Sequence, residues 1–216
     1  MWNENRSNQT VVDRAIGQGV WQESPLAGAS GLLKKHQASA SKAFHLVERP
    51  FLELINLRGD LRDAAFIAAV EKAIGCKPPE KPNTTAAGDG YDLMWLGPDE
   101  WLVRSTASHS ATQPAPLEAK LREAFKGLFA AAVDIGSGYT VLEISGTRTR
   151  DVLARGCPLD LHPRLFGVGQ CAQSHYFKAS VTIVPMGEDN FELVIRRSFA
   201  DYFVKIMLDA AEPLMS

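Results

Sequence analysis

Histidine and cysteine, the side chains that most often carry chemistry, are scattered along this 216-residue chain. No H-E-x-x-H or C-x-x-C pair occurs, so the spacing does not predict a zinc site. Most of these histidines and cysteines are expected to have ordinary packing roles; the alternative is that His162 and His175 lie close together in space, near Cys157 or Cys171. The odd cysteine count favours reduced, partly buried thiols. The five histidines are His36, His45, His109, His162 and His175, and the three cysteines are Cys76, Cys157 and Cys171.

Phosphate-binding and nucleophile motifs are equally sparse. Gly136-Ser137-Gly138 lacks both the G-x-x-x-x-G-K-[ST] spacing and the complete G-x-G-x-x-G spacing of phosphate loops. Ser137 also lacks the strand and helix context of a G-x-S-x-G nucleophile elbow. We interpret these three residues as a flexible joint between two halves of the chain, and we expect no catalytic residue and no cofactor site.

Two segments lie next to predicted helices and contain residues that could contact a partner; one follows a helix and the other precedes one. In 155–163, a helix ends at Gly156 and prolines stiffen the loop, so its leucines either face another subunit or cover the chain's own core. In 196–199, two arginines precede a helix and either bind an anion or a partner's carboxylate, or form a solvated cap with a salt bridge. The residues assigned to a candidate subunit interface are Arg155, Cys157, Pro158, Leu159, Asp160, Leu161, His162, Arg196 and Arg197.

Strand and helix patterns position these segments. The predicted strands cover 51–57, 91–96, 100–105, 131–135, 139–144, 171–177, 181–185 and 191–196, and polar loops cover 36–42 and 77–90. The predicted helices run from a cap at Asp60 to Ile74, from Pro114 or Pro116 to Phe125, from a cap at Thr147 to Ala154, and from a cap at Ser198 to about Ala210. Their predicted buried stripes are Leu61, Ala65, Ala69 and Ile74 in the first helix and Phe199, Phe203, Ile206 and Met207 in the last.

The pattern repeats once along the chain. A strand that ends in glycine and precedes a helix occurs at Gly59 and again at Gly146, 87 positions later. A turn that leads an aromatic residue into a strand occurs at Gly97 and at Gly187, 90 positions later. Two motifs at nearly one offset predict a duplication, and two such units can bury their apolar faces on each other. We expect an α+β fold of two pseudo-repeated ferredoxin-like β-α-β-β-α units packed together, at about 44–136 and 137–212.

Composition limits the possible partners and location. The net charge of −2, from 23 basic and 25 acidic residues, gives no electrostatic basis for binding nucleic acid. No stretch approaches the roughly 20 apolar residues of a membrane span, and residues 1–22 are polar without a signal-peptide core. We expect a flexible N-terminal arm over 1–22, a single globular domain over 23–216 and a cytoplasmic location.

Four segments together carry a family resemblance. The stretches W-L-G-P-D-E-W-L-V, L-E-I-S-G, R-G-C-P-L-D-L-H-P-R-L-F and V-I-R-R-S-F-A-D-Y-F occur in this order. With them the chain resembles, from Ser24 to the final helix, the gamma subunit of heterotetrameric sarcosine oxidase. The resemblance implies a fold like the N-terminal folate-binding region of glycine-cleavage aminomethyltransferases, in agreement with the predicted duplication.

The resemblance also implies a function. In that family the complex oxidises sarcosine to glycine, forms hydrogen peroxide and passes the methyl carbon to tetrahydrofolate as a methylene group. The alpha and beta subunits bind FAD, FMN, NAD and folate, the delta subunit binds zinc, and the gamma subunit carries no known cofactor. Folate-dependent relatives share a K-G-C-Y-x-G-Q-E motif, from which Pro158-Leu159-Asp160 departs after the matching start at 155–157. This departure argues against independent folate binding and against a thiol-based role for Cys157.

Three functional hypotheses follow. The first is a non-catalytic, structural gamma subunit of an oxidoreductase complex, with alpha, beta and delta partners, no nucleic acid, no membrane and no activity in isolation. The second is a free-standing folate-binding or aminomethyltransferase-like protein. The third is a homo-oligomeric scaffold unrelated to amine oxidation.

Overall fold

The computed structural model describes residues 12–14, 21–38, 42–108 and 116–215 of the chain. Most of the predicted arm over 1–22, together with His109 and Pro114, lies outside the described residues. The two described segments near the arm, 12–14 and 21–23, pair with each other as antiparallel strands. No described helix has the length and apolarity of a membrane span.

The described residues form twelve strands and five α-helices. The strands are β1 (Val12–Arg14), β2 (Trp21–Glu23), β3 (His45–Arg49), β4 (Leu52–Arg58), β5 (Thr85–Ala87), β6 (Tyr91–Gly97), β7 (Glu100–Ser108), β8 (Ala131–Asp134), β9 (Tyr139–Ser145), β10 (Ala172–Tyr176), β11 (Ala179–Pro185) and β12 (Asn190–Arg196). The helices are α1 (Ser30–Ala38), α2 (Ala64–Ile74), α3 (Leu117–Ala124), α4 (Thr149–Ala154) and α5 (Ala200–Ala211). Short 3₁₀ turns cover Ala27–Ala29, Gly136–Gly138, Arg197–Phe199 and Glu212–Leu214.

Strands β3 to β12 form two antiparallel sheets of five strands with matching order. The first sheet runs β5-β6-β7-β4-β8 and the second runs β10-β11-β12-β9-β3. The first sheet consists of the consecutive strands β4 to β8, in which β8 pairs with β4. The second sheet takes its last strand from the first half of the chain, because β3 directly precedes β4 but pairs with β9. The short connections from β3 to β4 and, through Gly136–Gly138, from β8 to β9 therefore link the two sheets.

The two sheets pack face to face between outer layers of helices. Strand residues alternate between the two faces, so in β12 Phe191, Leu193 and Ile195 join the core under α4 and α5, whereas Val194 faces the other sheet. In the first sheet Ile55 and Leu57 pack under α2 and α3. The prediction that helices and strands combine in one fold is confirmed as a mixed α/β fold with two antiparallel sheets.

Two predicted helix starts in the first half differ from the structure. Asp63, not Asp60, caps α2, since its side chain accepts from the Ala65 amide at 2.9 Å. The Asp60 carboxylate instead accepts from the Arg62 amide in the preceding turn. Ala65, predicted to lie in the buried stripe, is exposed. The buried residues of α2 are Phe66, Val70, Ala73 and Ile74.

The second half shows the same kind of shift. Neither Thr147 nor Ser198 supplies a side-chain cap, because α4 begins at Thr149 and a 3₁₀ turn over Arg197–Phe199 precedes α5. That turn leaves Phe199 39% exposed, against the prediction that it is buried. The buried residues of α5 are Ala200, Phe203, Val204, Met207, Ala210 and Ala211.

Two predicted loops contain regular structure. His36 lies in α1 and is buried, tilted against Phe44 with 5.8 Å between ring centroids, so helix packing replaces the expected polar loop there. The segment 77–90 contains the short strand β5, which is held as an edge strand by β6. Side-chain packing in the first case and backbone pairing in the second, neither of which local composition reveals, decide the two outcomes.

Candidate functional site

The predicted interface loop after α4 faces both inwards and outwards. Cys157 and Leu161 are buried in the core under α4 and α5, and Leu159 packs against the same cluster while half-buried. The outer positions, Arg155, Pro158, Asp160 and His162, are exposed. Of the two interpretations of the loop leucines, covering the chain's own core holds for Leu161, and the exposed positions keep the loop available for contacts.

One arginine of α4 holds this loop in place, and sequence inspection missed it. The Arg150 guanidinium donates to the carbonyl oxygens of Leu161 and Phe166, and to that of Glu188 at 2.7 Å. It also lies over the Phe191 ring, 4.8 Å from the ring centroid. A guanidinium that satisfies three carbonyls makes the loop a fixed surface. No spacing motif marks Arg150.

The side chains of Asp160 and His162 in this loop form hydrogen bonds within the loop. Asp160 accepts from the His162 amide at 2.9 Å, and His162 Nδ1 accepts from the Arg164 amide at 3.2 Å. The Cys157 sulfur lies 3.6 Å from the Ser174 hydroxyl. Among residues 12–14, 21–38, 42–108 and 116–215, no group of three or more His, Cys, Asp or Glu residues is arranged to hold a metal.

The Cys76 and Cys171 thiols are poor nucleophiles. Burial raises the pKa of Cys171 to about 11, and its Sγ contacts the Trp95 carbonyl oxygen at 3.4 Å. Burial raises the pKa of Cys76, and the nearby acids Asp92 and Asp89 raise it further. Because the thiolate is the reactive form, neither group is poised for covalent chemistry near neutral pH.

The second predicted segment lies along an open groove of about 680 Å³. Arg196 and Arg197 are exposed, and the Arg196 guanidinium lies over the Tyr139 ring, 5.5 Å from its centroid. Neither arginine forms an ion pair with a described acid, so the expected salt bridge of a solvated cap is absent from the part of the chain that the structure describes. The groove is lined by Glu23, Ser24, Pro25, Ala27, Gly28, Gly138, Arg196, Arg197 and Ser198.

Strand register shows which predicted residues come together. The hairpin turn after Tyr176 lies at the same end of the second sheet as Arg196, because Tyr176 pairs with Ala179 and Val181 pairs with Ile195. The Phe177 amide donates to the Gly156 carbonyl at 2.8 Å, which places Arg155 at that end too. Arg150 ties Leu161 to the Glu188 turn at the opposite end. The predicted residues therefore occupy two ends of one sheet.

A buried charge cluster joins the two sheets, and no sequence motif revealed it. Arg104 of β7 and Glu192 of β12 are each 1% exposed, and their Nη2 and Oε2 atoms lie 3.0 Å apart. Arg104 also contacts Asp92, and Arg49 of β3 contacts Glu192 at 3.1 Å and Glu143 at 3.4 Å. The three carboxylates outnumber the two guanidiniums. Burial raises the pKa of Glu192 more strongly than Arg104 and Arg49 lower it.

The fold belongs to the class found in the aminomethyltransferases. The crystal structure of glycine cleavage system aminomethyltransferase T from Bartonella henselae matches with a TM-score of 0.60 over 93% of this chain and 54% of that chain, at 15% identity, which shows the fold alone. Residues 58–212 match the family model described as sarcosine oxidase, gamma subunit family. The chain belongs to the sarcosine oxidase gamma subunit family, which confirms the resemblance.

Individual relatives agree. The sarcosine oxidase subunit gamma of Corynebacterium sp. (strain P-1) is 30% identical over 181 residues, covering 83% of this chain and 86% of that protein. That of Arthrobacter sp. is 31% identical over 175 residues, covering 81% and 83%. A chain of the heterotetrameric sarcosine oxidase from Corynebacterium sp. U-96, solved with pyrrole 2-carboxylate, matches with a TM-score of 0.79 at 28% identity, over 90% of this chain and 97% of that chain.

Proposed function

We propose that this chain is the non-catalytic, structural gamma subunit of a heterotetrameric sarcosine oxidase. The match to a chain of such a complex, with a TM-score of 0.79 over 90% of this chain, is the observation that carries the proposal. The buried Cys171 thiol with its raised pKa and the self-contained hydrogen bonds of Asp160 and His162 support a non-catalytic role. The chain contributes to an oxidoreductase by assembly and has no activity alone.

The complex in this proposal is cytoplasmic and oxidises sarcosine to glycine. It forms hydrogen peroxide and transfers the methyl carbon to tetrahydrofolate as a methylene group. The alpha, beta and delta subunits are the partners, and they hold FAD, FMN, NAD, tetrahydrofolate and zinc. Cofactors supply the reactive centres of such chemistry, so a subunit without them acts by positioning its partners.

The two halves, at about 44–136 and 137–212, are in this proposal diverged copies of one ferredoxin-like unit. The order β8-β4-β7-β6 follows the β-α-β-β-α-β arrangement of that motif, and β3-β9-β12-β11 repeats it. A reciprocal backbone pair supports the relation: the Thr85 amide donates to the Gly169 carbonyl, and the Cys171 amide donates to the Asn83 carbonyl. Both pairs of positions, 83 with 169 and 85 with 171, are 86 apart, which is close to the offsets of the sequence motifs.

The exposed parts of two segments supply the subunit interface in this proposal. The Arg150-anchored loop offers a fixed outer surface, and the groove beside Arg196 and Arg197 offers two guanidiniums that form no ion pair with a described acid. Rigid surfaces lose less conformational entropy on association than flexible ones. The proposed contact residues are Arg155, Cys157, Pro158, Leu159, Asp160, Leu161, His162, Arg196 and Arg197, with the buried Cys157 and Leu161 acting by shaping the loop.

Co-expression tests the proposal. The chain, tagged, is expressed with the alpha, beta and delta subunits and purified, and flavin absorbance is measured in the complex and in the chain alone. We expect a stable flavin-containing complex with sarcosine oxidase activity, and a colourless isolated chain. Recovery of the chain only as a free protein beside a fully active complex of the other three subunits would exclude the proposed role.

A free-standing folate-binding protein is the second candidate, because the fold matches an aminomethyltransferase over 93% of this chain. Titration calorimetry of the isolated chain with tetrahydrofolate separates the two candidates. Micromolar binding would favour the second candidate, and heat no greater than that of a buffer blank would favour the first.

A further inference from the structure

One end of the second sheet carries several arginines that form no ion pair with the acids the structure describes. Of the arginines whose side chains the structure describes, seven form ion pairs with acids. The four without such a pair are Arg155, Arg164, Arg196 and Arg197. Three of these four lie at the sheet end that carries the β10–β11 turn and the start of β9. Strands are about 4.8 Å apart, so the β10–β11 turn lies about 10 Å from the end of β12.

Two exposed aromatic rings accompany these cations. Phe177 is 41% exposed and Phe199 is 39% exposed. Phe177 also has a φ of 48°, a left-handed conformation that is costly for a bulky residue. The Tyr176 ring, edge-on at 5.0 Å, and the Gly156 carbonyl hold it there. A strained aromatic that remains exposed is an unusual choice for a turn that needs only to reverse the chain.

The groove beside the arginines is built on a fixed base. Ser24, which lines it, is buried and donates to the Glu48 carboxylate, with the shorter contact at 2.6 Å. The Arg196 guanidinium also lies over the Tyr139 ring. Among the described residues that line the groove, Glu23 is the one acid, and it forms no ion pair with either arginine. These described residues therefore carry more basic than acidic groups.

We propose that this basic end of the second sheet, formed by Arg155, Phe177, Lys178, Arg196, Arg197 and Phe199, is a docking face for an acidic segment of a partner subunit. Unpaired guanidiniums match carboxylates in charge and in bidentate geometry, and arginine with aromatic residues is the composition of interface centres. The segment lies in the groove with its carboxylates on Arg196 and Arg197, while the two phenylalanines cover its apolar side chains. This inference rests on the proposed function, because it names the surface that assembly uses.

Charge reversal tests this docking face. The variant R196E/R197E is compared with R62E, since Arg62 is 90% exposed in its side chain and pairs only with the nearby Asp60. Glutamates just before α5 are favourable next to a helix N-terminus, so the variant should fold. Affinity for the alpha, beta and delta subunits is measured by surface plasmon resonance. We expect R196E/R197E to weaken binding by about 100-fold or more, with R62E within about threefold of the wild type.

A second variant separates docking from stability. Phe177→Asn suits the left-handed conformation, so the free chain should keep its melting temperature within a few degrees while binding weakens about tenfold. Wild-type affinity for R196E/R197E, with normal folding, would overturn the docking face and leave the proposed function intact. Failure of the wild-type chain itself to bind the other subunits would overturn the proposed function instead.

Discussion

Replacing Arg104 with methionine should destabilise the free chain strongly. Arg104 is 1% exposed and contacts both Glu192 and Asp92 between the two sheets. Methionine keeps much of the side-chain length and removes the charge. The substitution leaves Arg49 as the single guanidinium against three carboxylates in the cluster.

The expected size follows from the contact distance. Opposite charges 3.0 Å apart attract by about 5.5 kcal/mol at an effective dielectric constant of 20. Part of this attraction is offset, because the buried guanidinium no longer has to be removed from water. Breaking one partner of a buried ion pair costs about 3–5 kcal/mol. We expect a loss in that range, a large fraction of the roughly 5–15 kcal/mol stability of a typical domain.

Urea unfolding of the isolated chain, followed by circular dichroism, measures the loss. Arg58→Met is the matched control, because Arg58 pairs with Asp99 and Glu100 on an exposed surface and should cost at most about 1 kcal/mol. In R104M/E192Q the excess negative charge is reduced, so the cost should fall below that of R104M alone by at least about 1 kcal/mol. An R104M loss no larger than that of Arg58→Met would refute the reasoning.

Three further outcomes follow from burial and packing. Burial raises the folded-state pKa of Glu192 above its usual 4.5. The contribution of this group to stability is therefore fully present below its usual pKa and is lost as the pH rises through the folded-state pKa. Melting temperatures measured from pH 4 to 7 should accordingly fall more steeply for the wild type than for E192Q. Gly156→Ala should lower the free energy of unfolding, measured in urea, by about 1–3 kcal/mol, because the added Cβ would lie 2.5 Å from the Phe177 ring. The control Gly31→Ala in α1 places its Cβ where no atom lies within 4 Å, so it should be neutral or stabilising. Leu161→Asp should leave the isolated chain largely unfolded by circular dichroism, and Leu165→Asp, at a position 62% exposed, should leave it folded; similar spectra for both variants would contradict the assignment of Leu161 to the core.

Local patterns predicted eight of the twelve described strands, because alternating burial and turn residues can be recognised from neighbouring positions, but they missed β1, β2, β3 and β5. The strand predicted over 51–57 is β4, and the hairpin around Gly97 is formed by β6 and β7. Helix α2 ends at Ile74, as predicted, and Gly75 follows it in the left-handed conformation, with a φ of 89°. The offset of 87 between Gly59 and Gly146 reappears as the offset between β4 and β9.

Features set by distant contacts could not be predicted in this way. The amide of Leu117, at the start of α3, donates to the Glu53 carboxylate at 2.6 Å, and Glu53 lies 64 positions earlier in β4. The pairing of β3 with β9 likewise joins residues that are 92 to 100 positions apart. Such partners are chosen by the packed fold, which single-sequence periodicity does not encode.

The candidate site shows the same division. The sequence indicated the segments 155–163 and 196–199, but the anchoring by Arg150 and the strain at Phe177 depend on tertiary contacts. One available signal was overlooked: the dipeptide Gly-Cys follows a helix at Gly75 and again at Gly156. In both places a residue of the following hairpin donates to the backbone there, Asp89 to the Ile74 carbonyl and Phe177 to the Gly156 carbonyl.

Native mass spectrometry of the reconstituted oxidase tests most directly whether this chain works by docking. The complex is assembled from the four subunits, weighed intact and then dissociated in the gas phase. We predict one intact assembly that contains the 23.6 kDa chain, and release of that chain without any bound cofactor. An active assembly whose measured mass equals that of the other three subunits alone, or a released chain that carries a flavin, would contradict this role.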